Sequence, residues 1–441
     1  MIGVIGIFLG LAVLIFLAYK GCSVLWVAPV AAMVVALIGG LDLLPAFADT
    51  YMSGLVGFVK SWFPMFILGA IFGKVLEVTG CAKSIAKTLS DKIGAKRAVL
   101  AIVVSTGLMV YGGISLFVVV FAIYPIALDL FREADLPRRL IPGCIACGAF
   151  TFAMTAFPGS PQLNNIIPSK YFGTTAMAGP VLGIIAGVLM FVLGVLWLEH
   201  SAKKMVANGE HFDEPKNAVL DDDLPKVNFV LALLPLVVVV LMLNLLTAFA
   251  GFESDVRSTY SIILALLCGI ILAIVINIKN SKNMLKAISE GAQASISATL
   301  NTSAAVGFGT VVKAVPGFAV LTKAILGIKA SPLISEALAV TLLAGATGSS
   351  SGGLGIALEA LGQNYLELAN QIGMNPGILH RVAAVSSGGL DSLPHCGGIV
   401  TMLMVCGMTH KESYKDMGMT TVVIPVLVTV VVVILGTMGI C

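Results

Sequence analysis

The run Asp391-Ser392-Leu393-Pro394-His395 holds the residues of this chain best suited to proton chemistry. A carboxyl and an imidazole four positions apart share one face of a helix, and an imidazole titrates near neutral pH. Pro394 stands between them and is expected to break the helix, so direct contact does not follow from the spacing. Both lie in apolar sequence, where an ionisable side chain is costly and is by default a functional candidate. Asp391 and His395 are therefore candidates for binding or relaying a proton, with Asp391 alternatively a cap on the following half-helix. A second polar run, Phe157-Pro158-Gly159-Ser160-Pro161-Gln162-Leu163-Asn164-Asn165, offers hydrogen-bonding side chains at Ser160, Gln162, Asn164 and Asn165. Two glycine-rich breaks add hydroxyls and accessible amides: Tyr111-Gly112-Gly113 with Ser115, and Gly348-Ser349-Ser350-Ser351-Gly352-Gly353 after Thr347. With Ser392 and His395 these residues form the candidate substrate set. It contains no arginine, and Arg97, Arg132, Arg138, Arg139, Arg257 and Arg381 are all expected at helix ends near the surface. Positive potential for a bound anion would then come from half-helix N-termini after Gly112-Gly113 and Gly352-Gly353. The chemistry is reversible binding of a small carboxylate. Close helix packing is the alternative use of one such glycine pair; two pairs at matched places favour a site.

Groups of this kind need elements that hold them at membrane depth. The chain has 441 residues, 58% hydrophobic and 11% charged, with mean hydropathy +1.02; a soluble protein carries about 25% charge. That excludes a cytosolic enzyme and points to an all-α polytopic membrane protein, at about 20 apolar residues per crossing. The net charge of +3 lends no support to a nucleic-acid partner. Eight scattered cysteines suggest no disulfide framework, and Cys144 and Cys147, though spaced like a zinc half-site, lack a second pair. No metal or cofactor is expected. Met1 to Tyr19 lacks a basic leader and is read as the first crossing rather than a cleaved signal.

Uninterrupted apolar runs fall at 1–19, 24–44, 61–79, 175–198, 227–250, 258–278 and 417–440. The stretches 97–131 and 332–371 are too long for one crossing and break at their glycines, as re-entrant hairpins would. Those at 138–172 and 377–409 are interrupted by proline and polar residues and read as discontinuous helices. Non-helical backbone at membrane depth survives only inside protein or against a wet cavity.

The four breaks come in two pairs because the halves match. Phe72-Gly73-Lys74-Val75 aligns with Phe308-Gly309-Thr310-Val311 at an offset of 236, Gly112-Gly113 with Gly352-Gly353 at 240, and Pro137 with Pro376 at 239. Two repeats are expected, 1–199 and 227–441, joined by a linker at 200–226. Each makes five crossings, one of them a broken helix, plus one hairpin; five is odd, so the second repeat is inverted. With the N-terminus and C-terminus outside, 18 of the 26 Lys and Arg fall on cytoplasmic segments, seven outside, and Lys74 within a span. Lys74 and Glu77 are expected to pair within their helix or snorkel, outside the site. The polar linker reads as a solvated cytoplasmic connection. Inverted repeats with paired broken helices point to a secondary transporter with its site at mid-depth.

Asp391-Ser392-Leu393-Pro394-His395 followed by Gly397, with Phe157-Pro158-Gly159-Ser160-Pro161-Gln162 and Asn165, resembles the gluconate permease family, nearer to the hydroxybutyrate permeases, along nearly the whole chain. The resemblance implies a proton-coupled symporter of small monocarboxylates such as gluconate, glycerate or 3-hydroxybutyrate, in the bacterial inner membrane. Likeness to the larger ion-transporter group implies an elevator-type homodimer, with a transport domain at 97–172 and 332–409 and a scaffold from the remaining spans. A sodium-coupled carboxylate transporter is the nearest alternative, since the serine-rich tip and the Asn164-Asn165 break offer neutral oxygens. An integral membrane hydrolase using Asp391, His395 and serines, and a channel, are the other classes weighed.

Overall fold

In lipid a backbone is satisfied only by helices or closed barrels, and every regular element among the described residues is helical. The computed structural model describes residues 2–20, 22–215, 227–253, 256–278, 284–320, 331–394 and 396–441. His395 lies outside the described residues, as do Lys216, Asp221, Asp222, Asp223, Lys226, Lys279, Lys282, Lys323 and Lys329.

The first half begins with α1 (Ile2–Tyr19) and α2 (Val24–Gly39). The long α3 (Leu43–Val78) follows, 36 residues carried through a π turn. It starts well before the apolar run at 61–79 because Asp49 and Lys60 face outward and do not stop it. After the amphipathic α4 (Cys81–Ile93) come a helical hairpin, α5 (Ala98–Tyr111) and α6 (Leu116–Glu133), then a broken helix, α7 (Ile141–Phe150) and α8 (Leu163–Phe172), and finally α9 (Pro180–Ala207).

The second half runs α10 (Phe229–Phe249), α11 (Arg257–Ile276) and α12 (Met284–Ala314). A second hairpin follows, α13 (Pro332–Thr347) and α14 (Ser350–Gln371), then a second broken helix, α15 (Pro376–Ser386) and α16 (Gly397–Val405), and α17 (His410–Thr437).

Among the described residues, six helices are long and apolar enough to cross a membrane, and a seventh counts if α4 and α5, bent by 97°, act as one span. The other expected crossings fall on pieces that fail one criterion: α1 and α2 are short, and α15–α16 is split. α12 carries buried Ser295, Thr299, Thr302 and Ser303. Three of these, Thr299, Thr302 and Ser303, return their hydroxyls to the carbonyl one turn back, which lets a polar helix sit in an apolar bundle.

α3 and α12 form the centre of one layer, with α2 against α12 and α11 against α3. Small residues permit the approach: a Cβ at Gly291 would stand 2.8 Å from the Ile71 Cα. The hairpins and broken helices form the other layer, flanked by α9 and α17, which pack on each other and on the broken helices.

The described part of the linker is strapped down rather than free. Arg132 pairs with Glu214 at 2.8 Å, Arg138 with Asp213 at 2.9 Å, and Arg139 with Glu210 at 2.7 Å. His211 meets Asp135 at 2.7 Å. The partners of 210–214 thus all lie at the junction of the first hairpin and first broken helix.

Candidate functional site

Breaking a helix frees carbonyls that hydrocarbon cannot satisfy. α7, buried at every position, ends in a π turn at Phe152–Ala156 and then runs non-helically through Pro158 and Pro161 to α8. Four of the freed carbonyls receive side-chain donors from elsewhere. Arg381 Nη1 donates to Ala156 O at 3.0 Å, Tyr111 OH to Pro158 O at 2.8 Å, Asn244 Nδ2 to Gly159 O at 3.0 Å, and Asn165 Nδ2 to Ser160 O at 3.0 Å.

Arg381 corrects the surface placement expected for every arginine. It is fully buried in the middle of α15, and Nε also donates to Ala178 O at 3.1 Å and Nη2 to Ala176 O at 3.3 Å. All three of its nitrogens thus donate to carbonyls left free by the break and by the turn after α8. The neighbouring His380, also fully buried, meets Thr174 Oγ1 at 2.7 Å and Asn165 Oδ1 at 3.4 Å. Asn164 Nδ2 donates to Ser387 Oγ at 2.7 Å, so the two broken helices are pinned across their middles. Asn164 and Asn165 are thereby committed to the framework. Ser160 is buried with its hydroxyl unpartnered.

The first hairpin tip joins this framework. Gln162 Nε2 donates to the Val110 carbonyl at the end of α5. Gly113 turns the chain at φ 98°, close under Pro161, and Gly112 is buried against Leu236. Ser115 precedes α6 in extended conformation without capping it by its side chain, so the first-turn amides of an 18-residue helix have no side-chain acceptor there. A cavity of about 550 Å³ reaches Gly113, Ser115 and Gln162 from the α3–α12 side.

Lys74, Glu77 and Glu290 also line that cavity, with apolar walls from Met65, Phe66 and Phe121. Lys74 makes the expected pair with Glu77, at 2.7 Å, and Glu290 of α12 approaches its ammonium to 3.6 Å. The sequence signals the intrahelical pair; the third partner comes from another helix and has no local signature.

The second tip and second break meet separately. Asp391, 1% exposed, accepts from Ser392 Oγ at 3.0 Å, and Ser350, whose hydroxyl reaches Met154 Sδ at 4.0 Å, is its neighbour from the second hairpin tip. Tyr414 OH donates to Ser392 O at 2.9 Å, and His410 meets Pro394 O at 2.8 Å. The α-helix ends at Ser386, ahead of Gly388 and Gly389; a single 3-10 turn at Leu390–Ser392 follows, and Pro394 comes before helix resumes at Gly397.

Ser349 Oγ caps α14 by accepting from Gly352 N–H at 3.2 Å, and Ser351 is half-buried in the first turn. Gly352 and Gly353 thus lie inside α14 rather than before it; Gly348, at φ 59°, makes the turn. The expected half-helix N-terminus is therefore at Ser349. Of the candidate set, Gly113, Ser115 and Gln162 share the cavity, while Ser350, Asp391 and Ser392 form a second buried cluster. Sequence reasoning does not single out Glu336 of α13, fully buried with neither carboxylate oxygen hydrogen-bonded.

Known proteins match this arrangement. A sequence profile described as GntP family permease covers residues 2–438. An uncharacterized transporter of Bacillus subtilis, YxjC, is 40% identical over 465 aligned positions covering 98% of each chain. An uncharacterized transporter of Haemophilus influenzae is 26% identical over 199 positions, 44% of each chain. The crystal structure of the Alcanivorax borkumensis YdaH transporter, described as having an unusual topology, superposes with TM-score 0.59 at 15% identity, covering 90% of this chain and 88% of that one. A permease family and transporter relatives speak for translocation rather than catalysis. The chain belongs to the GntP permease family and is a multi-pass membrane transporter.

Proposed function

We propose that the protein is a secondary active transporter carrying a small organic monocarboxylate, of the 3-hydroxybutyrate, gluconate or glycerate type, together with a proton across the bacterial inner membrane. The observation that carries this reading is one-sided access. The cavity opens between α3 and the first hairpin and reaches its tip. The second hairpin is packed against α12 instead, where a Cβ at Gly309 would lie 2.8 Å from Ile356. Matched hairpins in opposite states are what alternating access over one site requires.

The parallel element order and the paired contacts of α2 on α12 and α11 on α3 support two inverted repeats, 1–199 and 227–441. In this reading both termini are outside, and the Lys74–Glu77 end of the cavity, near the end of α3 that leads into the lysine-bearing α4, faces the cytoplasm. The unit that slides as an elevator contains 97–172 and 332–409, which the Asn164–Ser387 and Arg381 bonds tie together, within a homodimer. Substrate is held at Gly113, Ser115 and Gln162 and against the Ser349–Ser350 tip, and Asp391 with His395 couples the proton.

The oxygens of Ser350 and Ser392 gathered at Asp391 also suit sodium, which keeps a sodium-coupled carrier as the second reading. Uptake of 3-hydroxybutyrate into proteoliposomes under an imposed pH gradient, with and without sodium, tests both. Accumulation driven by the proton gradient alone is expected, and uptake that follows only sodium refutes proton coupling. Asp391→Asn is expected to reduce accumulation more than exchange; equal loss of both removes Asp391 from coupling.

A further inference from the structure

Among the described residues lining the cavity, Lys74 is the sole cation; the tip groups Gly113, Ser115 and Gln162 are neutral. It is 27% exposed and held by two carboxylates of unequal quality. Glu77, three residues along the same helix, sits at 2.7 Å and is a true hydrogen-bonded partner. Glu290, from α12 on the facing wall, stands at 3.6 Å, beyond hydrogen-bond length. Glu290 has a second cation to turn to, Lys286 one turn away at 3.8 Å. An ammonium has three donors and Glu77 uses one. Lys74 can therefore accept another carboxylate while Glu290 moves to Lys286, and the apolar walls around the cluster strengthen that attraction relative to open water.

We propose that Lys74 is the anion-receiving group of the cavity, and that the substrate carboxylate exchanges with Glu290 on its ammonium in passing between the hairpin tip and the cavity mouth. The proposal rests on the monocarboxylate reading above and adds to it a specificity-determining residue on the α3–α12 wall. The device is one-sided. Thr310, which aligns with Lys74 in the other half, carries no charge and spends its hydroxyl on Val306 O of its own helix at 3.1 Å. Anion selection by Lys74 thus acts from the side onto which the cavity opens, and not from the opposite one.

The test is radiolabelled 3-hydroxybutyrate flux in proteoliposomes of uniform orientation, measured from each side, for wild type, Lys74→Gln, Lys74→Arg and Glu290→Gln. Lys74→Gln is expected to raise KM from the cavity side by about tenfold, leaving KM from the other side unchanged. Lys74→Arg restores most of the loss. Glu290→Gln, which removes the competitor, lowers KM from the cavity side. Wild-type flux with an unchanged KM in Lys74→Gln overturns the proposal alone. Equal KM increases from both sides, or no rescue by arginine, also overturn it, because they describe a structural ion pair. Wild-type vesicles without 3-hydroxybutyrate flux overturn the carboxylate reading, and the proposal with it.

Discussion

Gly353→Ala places one methyl group between the arms of the second hairpin. A Cβ there would intrude on the backbone of Ala344 and lie 2.5 Å from the Leu343 carbonyl carbon, whereas real Cβ atoms keep at least 3.0 Å. No flexible side chain can yield, so α13 and α14 must separate by about 0.5–1 Å, and overpacking of that order costs about 1–3 kcal/mol. Alanine recovers about 1 kcal/mol of that through its helix propensity, leaving a net loss of up to about 2 kcal/mol. If the loss falls on the packed state of the hairpin against α12, its population drops by up to about 30-fold relative to the alternative state. The assay is thermal unfolding in detergent with proteoliposome uptake, beside Gly57→Ala in α3, where a Cβ meets nothing within 4 Å. Gly353→Ala is expected to melt lower and to slow uptake, while Gly57→Ala, which gains helix propensity without a clash, melts no lower and leaves uptake unchanged. Identical behaviour of the two variants would refute the argument that the arms touch through Gly353.

Removal of the guanidinium in Arg381→Met strips donors from Ala156, Ala176 and Ala178 and is expected to cost about 3–5 kcal/mol, read as a large fall in melting temperature and yield. Arg381→Lys should fall between, since one ammonium cannot reach three carbonyls in fixed directions; unchanged stability in Arg381→Met would sink this account of the break. The linker strap should respond to acid and salt. His211 holds the Asp135 carboxyl below its ordinary value, Arg139 does so for Glu210, and Arg132 for Glu214. A depressed carboxyl stabilises the strapped form above its unstrapped pKa and loses that contribution as pH falls through the depressed value. The strap is therefore intact at neutral pH and released below about pH 4, or in about 1 M salt, where exposed pairs are screened. Hydrogen exchange at 210–215 reads the release; protection that ignores both perturbations would show that packing, not charge, holds the segment.

What the sequence discloses is the position of each break, because the cause of a break is local. Pro394 ends the turn at Asp391-Ser392, Pro158 and Pro161 end the path of α7, and Gly113 and Gly348 turn the hairpins. What it withholds is what repairs the break. Arg381 looks like a surface residue five positions after Pro376, yet its acceptors are peptide carbonyls more than 200 residues earlier, which have no side-chain identity to read. Asn164 and Asn165 look like ligand groups for the same reason in reverse: their polarity is visible, and their partners Ser387, Ser160 and Ala176 are not. Lys74 and Glu77 announce a pair by spacing, but only the crossing of α3 and α12 brings Glu290 to them and turns the pair toward a cavity. A polar residue in an apolar chain thus serves either the backbone or a passing ligand. The distinction is whether its donors are already spent: every nitrogen of Arg381 and the amide of Asn165 donate to carbonyls, whereas Lys74 keeps one strong partner and room for another.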